Sequence, residues 1–300
     1  MEKKIFKLGS TSLAVIIPKK WADKHGIYPE CRINVSEGNK GELIITSGQE
    51  KQVEVEKFLE RSMTPVLISR WIGLHYLNGT KKIKFYYNEG ISPVQLDAME
   101  KRIKDDCPGF EITYQSNKEM VIEDFSNMKE MDIAKILSRM HFLISSEFQE
   151  AIVGNTKEIS AIEKRVNRFY MLGIRYVNVI QPSNYAQYLS VLDSLERISD
   201  IMAEISGDVQ GIGKDVFSML KDQLDSSFSG FEGNMDGIEM ASNTRLNIKE
   251  KMQKRRIGGL QKRLVFEMSN MLSGIAEYGM LKIEQNPRFG NSGASIKSDT

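Results

Sequence analysis

The sequence predicts a multi-domain α+β chain, with a small β-rich segment in front, a mixed α+β connector in the middle and an all-helical rear. Three observations carry that reading. Short apolar or alternating runs broken by turn residues fill positions 1–48. Strand-like and helix-like patterns are interleaved from about 50 to 126, and from about 129 onward strand signals vanish and helical stripes take over. The 300 residues exceed the roughly 100 to 200 expected of one domain, and a hydrophobic content of 41% is enough for more than one core. The implied boundaries are 1–48, 49–127 and 128–286, with 287–300 a disordered tail that lacks apolar content.

Residues 4–8 and 13–17 flank the turn-rich GSTS at 9–12, which reads as strand, turn, strand. Pro18 ends the second strand. A short helix follows from about Lys19 to His25, because proline suits the start of a helix, and Gly26 stops it. Two more strands fit Cys31–Ser36 and Glu42–Thr46 around EGNKG. A β-rich piece of about 48 residues buries little core by itself, so dimerisation is expected.

In the middle segment, helical spacing spans 62–77 and strand composition covers Lys82–Tyr87. Pro93 opens a helix to about Asp106, and two strands flank the turn at Ser116–Lys118. No residue cluster here suggests chemistry, and a connector is the simplest account. In the rear, Ile133, Ile136, Met140, Leu143 and Ile152 mark the first helical stripe. Others run through Ile159–Phe169, Tyr188–Ile205, Ile212–Phe228, Ile238–Met252 and Leu260–Leu281. The six helices fall into two sets of three with matching lengths, about 128–207 and 208–286, which suggests internal duplication.

Forty-one basic residues against forty acidic ones leave almost no net charge, so any affinity for nucleic acid must come from a local patch. Lys3, Lys4, Lys7, Lys19, Lys20 and Lys24, opposed by Glu2, Asp23 and Glu30, form such a patch; a solvated lysine-rich edge is the alternative. Cys31 and Cys107 share no metal or disulfide spacing, which implies a reducing interior. Nothing resembles a signal peptide, and no apolar run approaches the roughly 18 to 20 residues of a membrane-spanning helix. A cytoplasmic, soluble protein without membrane insertion is expected.

Catalytic signatures are missing as well. GIGKD at 211–215 departs from a phosphate loop at both ends and reads as a helix start. His25, His75 and His141 have no carboxylate or thiol nearby in sequence, and there is no nucleophile elbow or dinucleotide fingerprint. A non-enzyme is expected. The basic run Lys249–Arg263 could dock an acidic partner, a lipid surface or DNA, or be a solvated helix junction. Asp193, Glu196 and Asp200, three and four residues apart, lie along one side of a helix. Such carboxylates repel one another unless water, a basic partner or a cation compensates them, and oxygen donors suit hard or borderline cations.

The run KLGSTSLAVIIPKKWADKHGIYPECRINVSEGNKGELIIT, about residues 3–47, resembles the AbrB/MazE/SpoVT family of swapped-hairpin DNA-binding domains. The resemblance rests on the Gly9-Ser10 turn, the strand ending at Ile17-Pro18, the short helix and the Gly26-Ile27 stop. It implies a dimeric swapped-hairpin β-barrel with DNA contacts at Lys4, Lys7, Ser10, Lys19, Lys20 and Lys24. Ile16 departs from the pattern, since many relatives carry an arginine there.

LERISDIMAEI at 195–205 resembles the signature of PhoU proteins, and the duplicated six-helix layout fits their pair of three-helix bundles. That resemblance covers about 125–285. It implies a metal site drawn from Glu196 and Asp200 on the signature helix and from Glu163 and Asn167 on the preceding one, with Asp193 beside them. Asn167 stands where an acidic residue is usual. Laying LSGIAE (272–277) on the signature puts Ser273 at the glutamate and Glu277 at the aspartate, so a metal ion (Fe, Mg, Mn or Zn) is expected only in the first bundle. Together the two resemblances imply a homodimeric DNA-binding transcriptional regulator of phosphate uptake. The alternative is a PhoU-type adaptor that restrains a phosphate transporter component or a kinase, its barrel serving only for dimerisation.

Overall fold

The computed structural model describes residues 3–37, 43–47 and 53–285, and most of the EGNKG turn and the expected tail lie outside the described residues. The protein is mixed α+β and mostly helical, with small sheets at the front and a helical region at the rear. It divides into two compact units, one ending at Val53 and one beginning at Glu54.

In the front unit, β1 (Ile5–Leu8) and β2 (Ser12–Val15) form an antiparallel hairpin in which Ile5 faces Val15 and Leu8 faces Ser12. Gly9 turns the chain with φ +71°, a conformation that favours glycine. Helix α1 (Lys19–Lys24) begins after Pro18 and is followed by Gly26 at φ +64°. A second antiparallel hairpin pairs β3 (Ile33–Glu37) with β4 (Leu43–Ser47). None of the described residues of this unit is buried; Leu13 is 71% exposed and Leu43 72%.

The rear unit opens on a four-stranded sheet of order β5-β6-β8-β7, from β5 (Glu54–Phe58), β6 (Lys82–Tyr86), β7 (Phe110–Gln115) and β8 (Glu119–Asp124). β5 runs parallel to β6, and the other pairings are antiparallel. Helix α2 (Pro65–Leu77) connects the parallel pair. It starts at Pro65, not at 62 as the spacing suggests, because Thr64 caps it, accepting from Leu67 N–H at 3.3 Å. Helix α3 (Pro93–Asp106) starts in a reciprocal capping box between Ser92 and Gln95. Ile68, Ile72 and Tyr76 of α2, Met99 of α3, and Ile83, Phe85 and Ile122 of the sheet form this layer's core, which Met171 of the next region joins.

Helices α4 (Ile133–Val153), α5 (Thr156–Ile180) and α6 (Tyr185–Ile205) pack mutually, as do α8 (Lys214–Phe231), α9 (Met235–Lys254) and α10 (Gly259–Gln285). A single turn, α7 (Val209–Ile212), precedes α8 and ends at Gly213, whose φ of +94° splits the expected stripe from Ile212 to Phe228. Contacts of α4 with α8 and of α6 with α10 join the trios, and one continuous apolar core runs through both. None of the described helices is long and apolar enough to cross a membrane.

The connector is welded to the helical region. α5 runs eleven residues past Phe169 to Ile180, because its second half buries Met171, Gly173, Arg175 and Val177. The Arg175 side chain is fully buried; it donates to the carbonyls of Tyr76 and Thr80 and, at 2.5 Å, to Asp124 Oδ2. Its guanidinium lies over the rings of Tyr76 and Phe110, 4.6 and 5.3 Å from their centroids. Lys81 Nζ donates to the same Asp124 oxygen at 2.8 Å. These partners hold the Asp124 carboxyl below its usual range, against the opposing and largest effect of burial.

Candidate functional site: a carboxylate cluster in the first helix trio

Three helices contribute. Glu147 lies in the apolar stripe of α4, with Met140, Leu143, Ile144, Phe148 and Ala151 buried around it. It is shut off from solvent; Oε1 accepts from Ser199 Oγ of α6 at 2.6 Å, while Oε2 has no hydrogen-bond partner. Burial pushes the Glu147 carboxyl up to about 8; the Ser199 bond opposes this, and the charges of Glu163 and Asp200 add to it. Glu147 therefore carries a proton at neutral pH.

Glu163 of α5 is half-buried, and its carboxyl is raised first by burial and then by Asp200. Glu196 of α6 is pushed up to about 7 by burial and by Asp200, Asp193 and Glu163 in that order. Of the residues the sequence singled out, Glu163, Glu196 and Asp200 thus form one mutually repelling group beside the protonated Glu147. Asp193 sits at its exposed edge and accepts from Tyr170 Oη at 3.0 Å. Asn167 borders a different feature, a cleft shared with α2 and α3. Among the described residues, no set of three or more His, Cys, Asp or Glu side chains stands close enough to hold a metal ion.

The second trio replaces this arrangement with a neutral one. Gln223 of α8, buried like Glu147, donates through Nε2 to the carbonyls of Ala241 (3.2 Å) and Ser269 (2.8 Å) and to Ser273 Oγ (3.1 Å). Its Oε1 accepts from Ser269 Oγ at 2.7 Å. Ser269 thus donates to Gln223 as Ser199 donates to Glu147, and Ser273, placed on the signature glutamate by the sequence alignment, lies in the core where it accepts from the Gln223 amide.

Glu147 stands apart in sequence from the spaced acids of α6. A glutamate inside an apolar stripe, seven residues after Met140 and four after Leu143, is a signal that could have found it. His141 has a carboxylate partner from the other trio, Asp225 at 2.8 Å from Nε2. His75 meets Thr80 Oγ1 at 3.3 Å, and burial lowers its pKa. The basic run is partly neutralised internally, since Lys251 and Arg255 both bind Asp215 at 2.5 Å and Lys254 binds Glu250.

In the front unit, Lys4 precedes β1, Lys7 lies on β1, Ser10 is in the hairpin turn, and Lys19, Lys20 and Lys24 are on α1. All six are exposed. Comparisons with protein-family models, with curated proteins and with solved structures find no significant match.

Proposed function

We propose that this chain is a non-enzymatic, homodimeric DNA-binding regulator of phosphate homeostasis, with an AbrB-like front unit and a PhoU-like helical part made of two three-helix bundles. The observation that carries the reading is the front unit, whose strands leave Ile5, Leu8, Leu13, Val35 and Leu43 in solvent. Strands with such faces are stable only when another surface covers them, at about 25 cal/mol per Å² of apolar area removed from water. A second copy interleaving its hairpins into one swapped barrel supplies that surface and leaves Lys4, Lys7, Lys19, Lys20 and Lys24 free for phosphate contacts.

The carboxylate cluster supports a signalling role for the helical part. Its oxygen donors suit a hard or borderline cation such as iron, magnesium, manganese or zinc. Glu163, Glu196 and Asp200 would hold it after side-chain rotation brings them together, and Glu147 would stand behind them. A cation bound more tightly in one arrangement of the helices than in another shifts the population toward that arrangement. A phosphate-transport component is the proposed protein partner.

Promoter-fragment binding tests the reading. Affinity should fall steeply with salt, and changing Lys7, Lys19 and Lys20 together to alanine should flatten that dependence and abolish binding. Sedimentation should show a dimer in both forms. A dimer that binds no DNA at low salt replaces this reading with the adaptor, whose helical faces restrain a transporter.

A further inference from the structure

The helical part presents a layer of four helices. α5, α6, α10 and α9 lie side by side in that order, each packed on the next, with α4 and α8 behind them. Tyr170 of α5 meets Asp193 of α6 at 3.0 Å, and Arg245 of α9 meets Asn270 of α10 at 3.3 Å. Between α6 and α10, Arg197 meets Glu267 at 2.9 Å and Ser190 meets Tyr278 at 2.8 Å, so these two run antiparallel. α5 with α6 and α9 with α10 do the same across their short connections. Counting from these contacts at about 1.5 Å per residue, Glu163 and Asp200 stand within about one turn of the height of Arg263 and Lys249, and Asp193 likewise of Arg245.

The side of this layer turned away from α4 and α8 is split by charge. Its α5–α6 half carries Glu163, Asp193, Glu196 and Asp200, and none of them forms an ion pair with a described residue. The α10–α9 half carries the opposite sign. Two adjoining hollows of about 260 and 550 Å³ share Phe266 and Asn270; Arg245 and Lys249 line the first, Lys262 and Arg263 the second. None of these four cations forms an ion pair with a described residue either. Arg197 and Glu267 pair across the seam between the halves. Each half thus holds charge that nothing described in its own copy neutralises.

We propose that a second copy of the chain covers this face, turned about a two-fold axis along the α6–α10 seam, so that the acidic half of each copy meets the basic half of the other. Such a rotation keeps every residue at its height and exchanges the halves. It sets Asp200 against Arg263 and Glu163 against Lys249, in both directions at once. An acidic partner would match the α10–α9 half alone and a basic one the α5–α6 half alone; a copy of the same chain matches both. The size agrees as well. Four helices 8–10 Å apart and about 20 residues long present roughly 700–900 Å² per copy, the extent of a standard interface. Leu246, 57% exposed, and the half-buried Phe266 add apolar contact among the cations. The contact belongs to the helical part and holds whether or not the front unit dimerises or binds DNA.

Cross-linking of the full chain by a short bis-maleimide, with EDTA present, provides the test. Cys31→Ser is the background, and Cys107 is buried, so Arg197→Cys gives each chain one accessible thiol, on the seam, and any link joins two copies. Losing the half-exposed pair with Glu267 costs little stability. Asn247→Cys, exposed and about 200° round α9 from Arg245, is the control. At about 50 mM salt Arg197→Cys should link at least about tenfold faster than the control, and about 500 mM salt should slow it about fivefold or more. Lys249→Glu with Arg263→Glu should slow linking at least about tenfold, and adding Glu163→Lys with Asp200→Arg should restore it to within about threefold. Circular dichroism shows which variants keep their helices, and the salt dependence of Arg197→Cys carries the test if the charge variants melt early. Equal linking in Arg197→Cys and the control, charge reversal without effect in folded protein, or a swap that restores nothing overturns the proposal.

Discussion

Replacing Glu147 by glutamine should stabilise the helical region above neutral pH and leave it almost unchanged in acid. The folded carboxyl titrates at about 8, against 4.5 for the free side chain. Between those values the folded state holds a proton that the unfolded chain has released, so stability is complete below about pH 4.5 and is lost as pH rises toward about 8. At about 1.4 kcal/mol per pH unit, the loss at pH 7 reaches up to about 3 kcal/mol. Glutamine has no such loss, and its amide oxygen can keep the Ser199 bond. Its NH₂ must find Glu163 or Asp200, which reduces the gain at pH 7 to roughly 1–3 kcal/mol. Urea unfolding followed by helical circular dichroism, from pH 4 to 8 with EDTA present, measures this directly. Wild type should lose stability across the window, and the variant should lose about one proton's share less. A variant destabilised at every pH, with the wild-type slope retained, would refute the buried, protonated Glu147.

Other consequences can be checked with single variants. Arg175→Met should cost about 3–5 kcal/mol in chemical unfolding, because it leaves the fully buried Asp124 carboxylate with Lys81 as its one ion-pair partner among the described residues; a loss under about 1 kcal/mol would show that the weld is dispensable. Gly279→Ala should be destabilising by at least about 1–3 kcal/mol. A Cβ there would fall 1.7 Å from the Gly230 carbonyl oxygen, backbone that cannot step aside. Elemental analysis of protein purified without chelator should find metal, and the paired change of Glu196 and Asp200 to alanine should remove it; metal retained by that variant places any site elsewhere. Asp225→Asn should remove the ion pairs that Asp225 makes with His141 of α4 and with Lys221 one turn back on α8 and lower the melting midpoint; an unchanged midpoint would show that this contact does not tie the trios.

Much of the secondary structure was legible because its signals are local. Pro93 and the Ser92–Gln95 pair start α3, Gly154 at φ +88° ends α4, and Gly26 follows α1. Strand β5 was missed, since its run EVEKF mixes charge into the alternation, as suits the edge strand it is. Of the carboxylate cluster, Glu163, Glu196 and Asp200 were readable from spacing and resemblance. Glu147 is not legible in that way, because it is a lone acid within an apolar stripe and meets the others only through packing.

By itself the sequence determined where the chain changes from β-rich to mixed to helical, where helices such as α1 and α3 begin, and which acids share a helix face. These follow from periodicity, caps and turn residues acting over a few positions. Tertiary structure alone decided that Arg175 of α5 would bury itself against the carbonyls of Tyr76 and Thr80, nearly a hundred residues earlier, and so make connector and helices one unit. It also decided that the two trios would place a strained acid and a saturated amide at matching depths. Burial is the physical reason: a charge or polar group acquires its cost, its proton and its partners only when distant segments close over it.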